Sequence, residues 1–351
     1  MHRQEIGSEF DITDCMVDNA VQKDNIIEYL SDFNVEFYDS GRSALLALLE
    51  GIEYQTVLLP GYICESVRKC FKDSSNVVYY KINRDFTIDW NDLIEKSKKV
   101  DIVYIHYFNG YIDSKYDFDN LHQMKKQNSF VVIEDTTHSL FSEVCTVGDY
   151  CICSLRKWFP VADGGVLYSK SKLTHKELLY NQWAENKRLA MFEKGKYISG
   201  SISDKKGFLH TFSESEETLD RQMEPYAISQ YSYELLKRIN YHNLIRNRKR
   251  NYEILHEYLK DKALPYASLN QVPLFYVIQV ENRDELRKFF INHNIFCPVH
   301  WPLYDEIGKL DGAIYLYNKE LSIPIDQRYN QRDMLYIVKI YNEYLCQENS
   351  K

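Results

Sequence analysis

Between residues 35 and 170 the chain repeats one pattern: a short apolar run, a break rich in polar residues or glycine, then an amphipathic stretch of helical length. The runs are Val35–Tyr38, Thr56–Leu59, Val77–Ile82, Ile102–Tyr107, Phe130–Ile133, Tyr150–Cys153 and Val166–Tyr168. Helical segments between them are SALLALLEGI, opened by Ser40 as N-cap, then Cys64–Phe71, Trp90–Lys98 and Phe118–Lys126. Strand and helix in alternation predict an α/β fold, a mixed but mainly parallel sheet with helices on both faces.

After about Ser171 the character changes. Thr174–Met191 reads as helical, 193–214 as a polar excursion, and Pro225–Leu259 as one long helical region. Strands at Leu274–Val280 and near Phe296–Val299, with helices at Arg283–Asn292 and Gln331–Leu345, predict a smaller C-terminal α+β domain. The 351 residues suggest about two domains on length alone, here 1–235 and 236–351, with residues 1–15 irregular.

The net charge of −8 argues against a general nucleic-acid partner, and the basic cluster Arg246–Arg250 reads as a solvated helix face. The first residues, MHRQEIGSEFDITD, carry acids where a secretory leader needs an apolar core. No run approaches the ~18 to 20 apolar residues of a membrane span. The eight cysteines show no C-x-x-C pair, and Cys151 and Cys153 share one strand face as small core residues, which predicts a reducing cytoplasm and no zinc. The histidines show no H-x-x-x-H pair, so no metal site is expected. No G-x-S-x-G, G-x-G-x-x-G or P-loop occurs, which removes common hydrolase, dinucleotide and NTPase readings.

Asp135 closes the apolar run VVIED. A carboxylate there can hold a pyridine nitrogen protonated; it can equally cap a helix or bind a metal. Lys157 follows the next run among Leu155, Trp158 and Phe159, apolar company that depresses an amine pKa, although a lysine beside Arg156 can also be a plain surface residue. Ser40-Gly41-Arg42-Ser43 opens a helix, where backbone N–H groups and the helix dipole favour a phosphate. His138 lies three residues after Asp135. Open α/β sheets bind ligands at such strand ends.

Order and spacing add to these separate signals. SGRSALLALL (40–49), VLLPGY (57–62), IHYFNG (105–110), IEDTTHS (133–139), GDYCICSLRK (148–157) and DGG (163–165) together resemble the DegT/StrS family of pyridoxal-phosphate sugar aminotransferases. RKRNYEILHEYL (248–259) and LSIPIDQRY (321–329) resemble its C-terminal domain more weakly.

The resemblance implies a fold-type-I transferase, a homodimer with active sites at the subunit interface, and pyridoxal 5′-phosphate as cofactor. By motif, Lys157 matches the lysine that binds the cofactor, Asp135 the pyridinium partner and His138 a residue near the ring. Gly41, Arg42 and Ser154 fall among the phosphate-cradle positions. Several positions depart from the pattern. Ser-Gly-Arg replaces Ser-Gly-Thr, which predicts a phosphate contact rebuilt around Arg42 and Ser43. Ser154 to Lys157 is two residues shorter than usual. The ring-stacking aromatic, counted from Pro60, lands on Cys64, with Tyr62 as nearest substitute. No Asn-x-Arg signature is recognisable near Arg221-Gln222-Met223.

The implied reaction moves an amino group from an amino acid, glutamate, to a nucleotide-linked keto-sugar in cell-surface polysaccharide or related sugar biosynthesis. The alternatives are a pyridoxal-phosphate enzyme on a non-sugar carbonyl or amino substrate, and a relative that binds cofactor or sugar nucleotide without turnover.

Overall fold

The computed structural model describes residues 5–12, 17–111, 118–142, 148–175, 177–264 and 271–348. Its strands are β1 (Ile6–Gly7), β2 (Asn34–Tyr38), β3 (Thr56–Pro60), β4 (Asn76–Tyr80), β5 (Ile102–His106), β6 (Val131–Asp135), β7 (Tyr150–Ser154), β8 (Gly165–Ser169), β9 (Phe275–Gln279), β10 (Ile295–Phe296) and β11 (Glu320–Pro324). The helices begin with α1 (Ile26–Tyr29), α2 (Gly41–Leu49), α3 (Glu65–Arg68), α4 (Trp90–Ser97), α5 (Phe118–Asn128) and α6 (Trp183–Ile198). They continue with α7 (Lys206–Asp220), α8 (Gln230–Leu236), α9 (Tyr241–Leu259), α10 (Arg283–Asn292), α11 (Asp311–Lys319) and α12 (Gln331–Glu348). No helix among the described residues is long and apolar enough to cross a membrane.

The main sheet has seven strands in the order β2-β8-β7-β6-β5-β3-β4. From β7 to β4 all neighbours are parallel, while β8 is antiparallel to both β7 and β2. The apolar runs are unbroken because both faces are covered. Val57, Leu59, Ile102, Tyr104 and Ile133 pack with Ala44, Leu45 and Leu48 of α2. The alternate residues Leu58, Val103, Ile105 and Val132 pack with Leu93 of α4 and Leu121 of α5.

A second core gathers Ile6, Leu255, Tyr276, Ile278, Leu286, Phe290, Leu321, Ile323 and Ile337. Two small sheets serve it: β9 antiparallel to β11, and β1 parallel to β10. The irregular start expected at 1–15 therefore contains a short strand that closes on a segment almost 300 residues away in the chain (Ile6 opposite Ile295).

Three expectations are corrected. The polar excursion 193–214 is in large part helical, because Phe208, Phe212, Ser215 and Leu219 recur at helical spacing and bury one face of α7. The long helical region splits into α8 and α9, where the Asn240 side chain accepts from His242 and Asn243 N–H and starts a new helix. Helix α6 begins only at Trp183, not at Thr174.

The Gly164-Gly165 pair sets the contact between β8 and α2. A Cβ on Gly165 would lie 2.0 Å from the Ser40 carbonyl oxygen, and Gly164 has φ +148° while its N–H donates to the Asp39 carbonyl at 2.6 Å. Gly165→Ala is expected to destabilise the protein by about 2–3 kcal/mol, read as a lowered denaturant midpoint. An unchanged midpoint would show that the close approach is not needed for folding.

Candidate active site

Parallel strands deliver their carboxyl ends to one edge of the sheet. His106 ends β5 and lies opposite Asp135, which ends β6. Ser154 ends β7 opposite Gly165, the first residue of β8, and Tyr38, the last of β2, also faces Gly165. Chain thus reaches the same edge from β2 and immediately enters α2. A cavity of about 230 Å³ opens there, lined among others by Gly41, Arg42, Asp135, His138, Ser154 and Lys157. Of the residues singled out in the sequence, these six come together, with Ser40 and Cys64 beside them.

Asp135 is 4% exposed. Its Oδ2 accepts from Tyr104 OH at 2.9 Å and pairs with His106 Nδ1 at 2.9 Å, and its Oδ1 accepts from the Thr137 N–H at 2.9 Å. Burial pushes its pKa up, but His106 and the Thr137 hydrogen bonds outweigh this and hold it below the usual value. The group is an ionised carboxylate. His138 accepts from Asn109 N–H at Nδ1 (3.4 Å), which assigns the ring proton to Nε2. Burial, with His106 and His300 nearby, drives its pKa well below the ordinary value, so it is neutral.

The short interval between Ser154 and Lys157 is taken up by a single 3₁₀ turn, Leu155–Lys157. Thr137 pins both ends of that turn: its Oγ1 accepts from Ser154 N–H at 3.0 Å and its carbonyl from Trp158 Nε1 at 2.8 Å. Leu155, Trp158 and Phe159 are buried, while the Lys157 side chain opens to the cavity. Surrounding protein desolvates the amine, and with Arg156 next to it the pKa falls below the ordinary 10.5. A larger neutral fraction follows, as a nucleophilic amine requires.

At α2, Ser40 Oγ accepts from Ser43 N–H at 3.1 Å, and the Ser40 carbonyl takes the Ala44 N–H. Of the first helical N–H groups, those of Gly41 and Arg42 remain for a ligand. A Cβ on Gly41 would come within 3.2 Å of Ser154, so glycine lets the helix start close over β7. Arg42 crosses the cavity mouth, with its guanidinium on the Asp220 carboxylate (2.8 Å) and the Leu219 carbonyl.

Two expected contacts are corrected. Ser43 does not line the cavity: its hydroxyl donates to Asp39 at 2.6 Å and accepts from Gln222 at 2.7 Å and Tyr226 N–H at 3.2 Å. Tyr62 is fully buried behind the site against Phe86 and Trp301, with its hydroxyl on the His300 carbonyl. The turn after Pro60 exposes Ile63 and Cys64 to the cavity instead.

The aromatic surface there comes from Trp301, which stacks on His138 at 5.3 Å. No local sequence signal marks Trp301. His106 was readable: IVYIH repeats the run-plus-polar ending of VVIED one strand earlier. Gln222, where an Asn-x-Arg signature was sought, instead reaches Asp39 (3.3 Å) and Ser43 beneath the α2 start.

The donor set admits one kind of ligand. Three buried atoms that belong to cavity-lining residues, Arg42 Nε, His106 Nε2 and Arg156 Nε, have no hydrogen-bond partner. Free N–H groups of α2 suit a phosphate, the ionised Asp135 suits a basic ring nitrogen, and the depressed Lys157 amine suits an aldehyde. Pyridoxal phosphate carries all three groups, and the residues fit it.

No protein-family model and no curated protein sequence matches the chain. Solved structures do match in fold. The putative sugar aminotransferase Spr1654 from Streptococcus pneumoniae covers 100% of this chain and 99% of its own at TM-score 0.64 and 16% identity in its apo form. Its PMP form aligns at TM-score 0.63 and 15% identity, over 97% of this chain and 98% of its own. A DegT DnrJ EryC1 StrS aminotransferase from Brucella abortus aligns over 91% of this chain and 88% of its own, at TM-score 0.61 and 17% identity. The chain has the α/β fold of these aminotransferases, as its strand-end motifs implied.

Proposed function

We propose that the chain is a pyridoxal-phosphate-dependent aminotransferase that moves an amino group from glutamate to a keto-sugar, carried on a nucleotide, for cell-surface polysaccharide or related sugar biosynthesis. The observation that carries the reading is the convergence of Lys157, Asp135 and the α2 N-terminus on one cavity. The pneumococcal neighbour crystallised in its PMP form supports the same cofactor.

In this reading Gly41 and Arg42 N–H groups, with Ser154 and the Arg42 side chain, hold the phosphate. Asp135 keeps its negative charge beside the ring nitrogen, with Tyr104, His106 and Thr137 fixing its orientation. His138 and Trp301, which line the cavity, would offer aromatic surface to the ring. Lys157 would hold the cofactor through its Nζ, and the same amine would take and return a proton at the substrate carbon. Bound pyridoxal phosphate supplies a protonated pyridine ring that withdraws electrons from that carbon.

Residues 1–235 form the larger, cofactor-binding domain of this reading, and 236–351 the smaller one. The working unit is a homodimer with its sites at the interface. Leu179 (78% exposed), Tyr180 (67%) and Met223 (60%) lie in two segments joined by the Asn181–Gln222 hydrogen bond (3.0 Å), and this exposed apolar surface supports a partner copy there. Cys64, Cys70, Cys153 and Cys297 are free thiols, in keeping with a cytoplasmic enzyme.

The test is product formation: protein loaded with cofactor and given glutamate should release 2-oxoglutarate in one equivalent per site without an acceptor. No oxoacid from any amino acid would remove the aminotransferase reading and leave binding without turnover.

The Lys157 environment adds a pH prediction. Only the neutral amine attacks, and desolvation with Arg156 repulsion lowers its pKa, so the neutral form gains at lower pH than for a free lysine. The rate at which added pyridoxal phosphate attaches should rise with pH through a midpoint below 10.5. A midpoint at or above that value in stopped-flow absorbance would contradict the assigned environment.

A further inference from the structure

Lys157 borders two spaces. On its other side a chamber of about 390 Å³ opens between β1, the 3₁₀ turn and the C-terminal elements, and Arg156, Lys157 and Glu216 line both. Its wall holds six basic side chains and three acidic ones, an excess of three positive charges (6 − 3) in a chain whose net charge is −8.

The acids are already taken. Asp326 accepts from Arg328 at 2.8 and 2.9 Å. Glu216 pairs with Arg156 at 2.6 Å and with Lys187, and Glu9 lies 3.1 Å from Lys187. Lys157, Arg248 and Arg287 are left over.

Arg248, 1% exposed, lies over the Trp158 ring at 4.6 Å. It donates to the Leu274 carbonyl at 2.7 Å and to the Lys157 carbonyl at 3.4 Å, and its Nε has no partner. Arg287, on α10, gives its Nε to the Cys297 carbonyl at 3.0 Å. No described carboxylate ion-pairs with either guanidinium. Buried or half-buried guanidinium forks without an acid are built receptors for an anion.

We propose that this chamber receives the side-chain or α-carboxylate of the amino donor, an amino dicarboxylate, with Arg287 as the receiving fork and Arg248 as a second positive charge; the assignment rests on the aminotransferase reading above. The geometry favours a carboxylate over a nucleotide diphosphate. Lys157, which bears the reactive amine, lines the chamber, and an amino acid places its carboxylate within a few bonds of the reacting nitrogen. In a sugar nucleotide the ring stands between the reacting ketone and the diphosphate.

Binding can be measured without turnover, by calorimetry on the full-length protein. Glutarate, a dicarboxylate with no amine, is the probe; its uncharged diamide is the control and inorganic pyrophosphate the competing anion. Glutarate should bind wild type, and Arg287→Gln should weaken it roughly tenfold or more while leaving any diamide binding unchanged. Arg287→Lys, which keeps the charge and loses the fork, should fall only severalfold, and it carries the test if the glutamine variant does not fold. Absence of glutarate binding to wild type, equal binding to Arg287→Gln, or pyrophosphate as the sole anion sensitive to Arg287 would each overturn the assignment. Failure of oxoacid release with Arg287-dependent glutarate binding intact would instead count against the catalytic reading alone.

Discussion

Lys157→Ala is expected to lower the turnover of amino transfer by roughly 10⁴-fold, because one change removes both the anchoring amine and the proton carrier. The fold should hardly notice. The Lys157 side chain extends into the cavity and makes no hydrogen bond or ion pair with described residues, while the buried anchors of the turn are Leu155 and Trp158. Removing a positive charge next to Arg156 even relieves repulsion. A stability change within about 0.5 kcal/mol is expected, as for a substitution away from packed or paired groups. Loss of turnover together with collapse of the folded state would mean that Lys157 is structural.

Asp135→Asn separates charge from shape. The amide is nearly isosteric, yet it loses the charge that holds a ring nitrogen protonated, and one of its ends becomes a donor. Tyr104 OH and His106 Nδ1 both converge on Oδ2 and Thr137 N–H on Oδ1, so the new N–H₂ group must face a donor on one side. Turnover is expected to fall about 10²- to 10³-fold, the usual scale for a lost charge-stabilising group, with cofactor attachment to Lys157 retained. Wild-type turnover in Asp135→Asn, measured beside an unchanged content of attached cofactor, would refute the role.

The main sheet was legible because the strands of its parallel part are short and largely apolar, and are stopped by polar residues or, after β3, by Pro60-Gly61. For the same reason Asp135 and Lys157 were legible as strand-end groups. Gly164-Gly165 was legible as a motif, and its physical basis is the 2.0 Å approach of Ser40 to the missing Cβ of Gly165. What local pattern cannot carry is direction. Ser43 and Gly41 stand two residues apart, yet helical rotation turns one to Asp39 and the other to the cavity.

Trp301 reaches the site by long-range packing from the C-terminal part of the chain, and no spacing near Asp135 or Lys157 announces it. Helix α7 is different: its stripe of Phe208, Phe212 and Leu219 was present in the sequence, hidden by the polar run SESEET (213–218) between them.

The account stands most directly on Lys157 as the residue that takes up the cofactor. Two other lysines are nearly fully buried, and one of them is depressed as well. Lys194 is lowered to about 8 by burial but is held by Glu5 at 3.1 Å, and Lys187 is paired with Glu9 and Glu216. Borohydride reduction of the protein loaded with pyridoxal phosphate, followed by peptide mass mapping, distinguishes the three. The account predicts one equivalent of reduced cofactor on the peptide that contains Lys157 and none on Lys187 or Lys194. A label on another lysine, or no label at saturating cofactor, would contradict it.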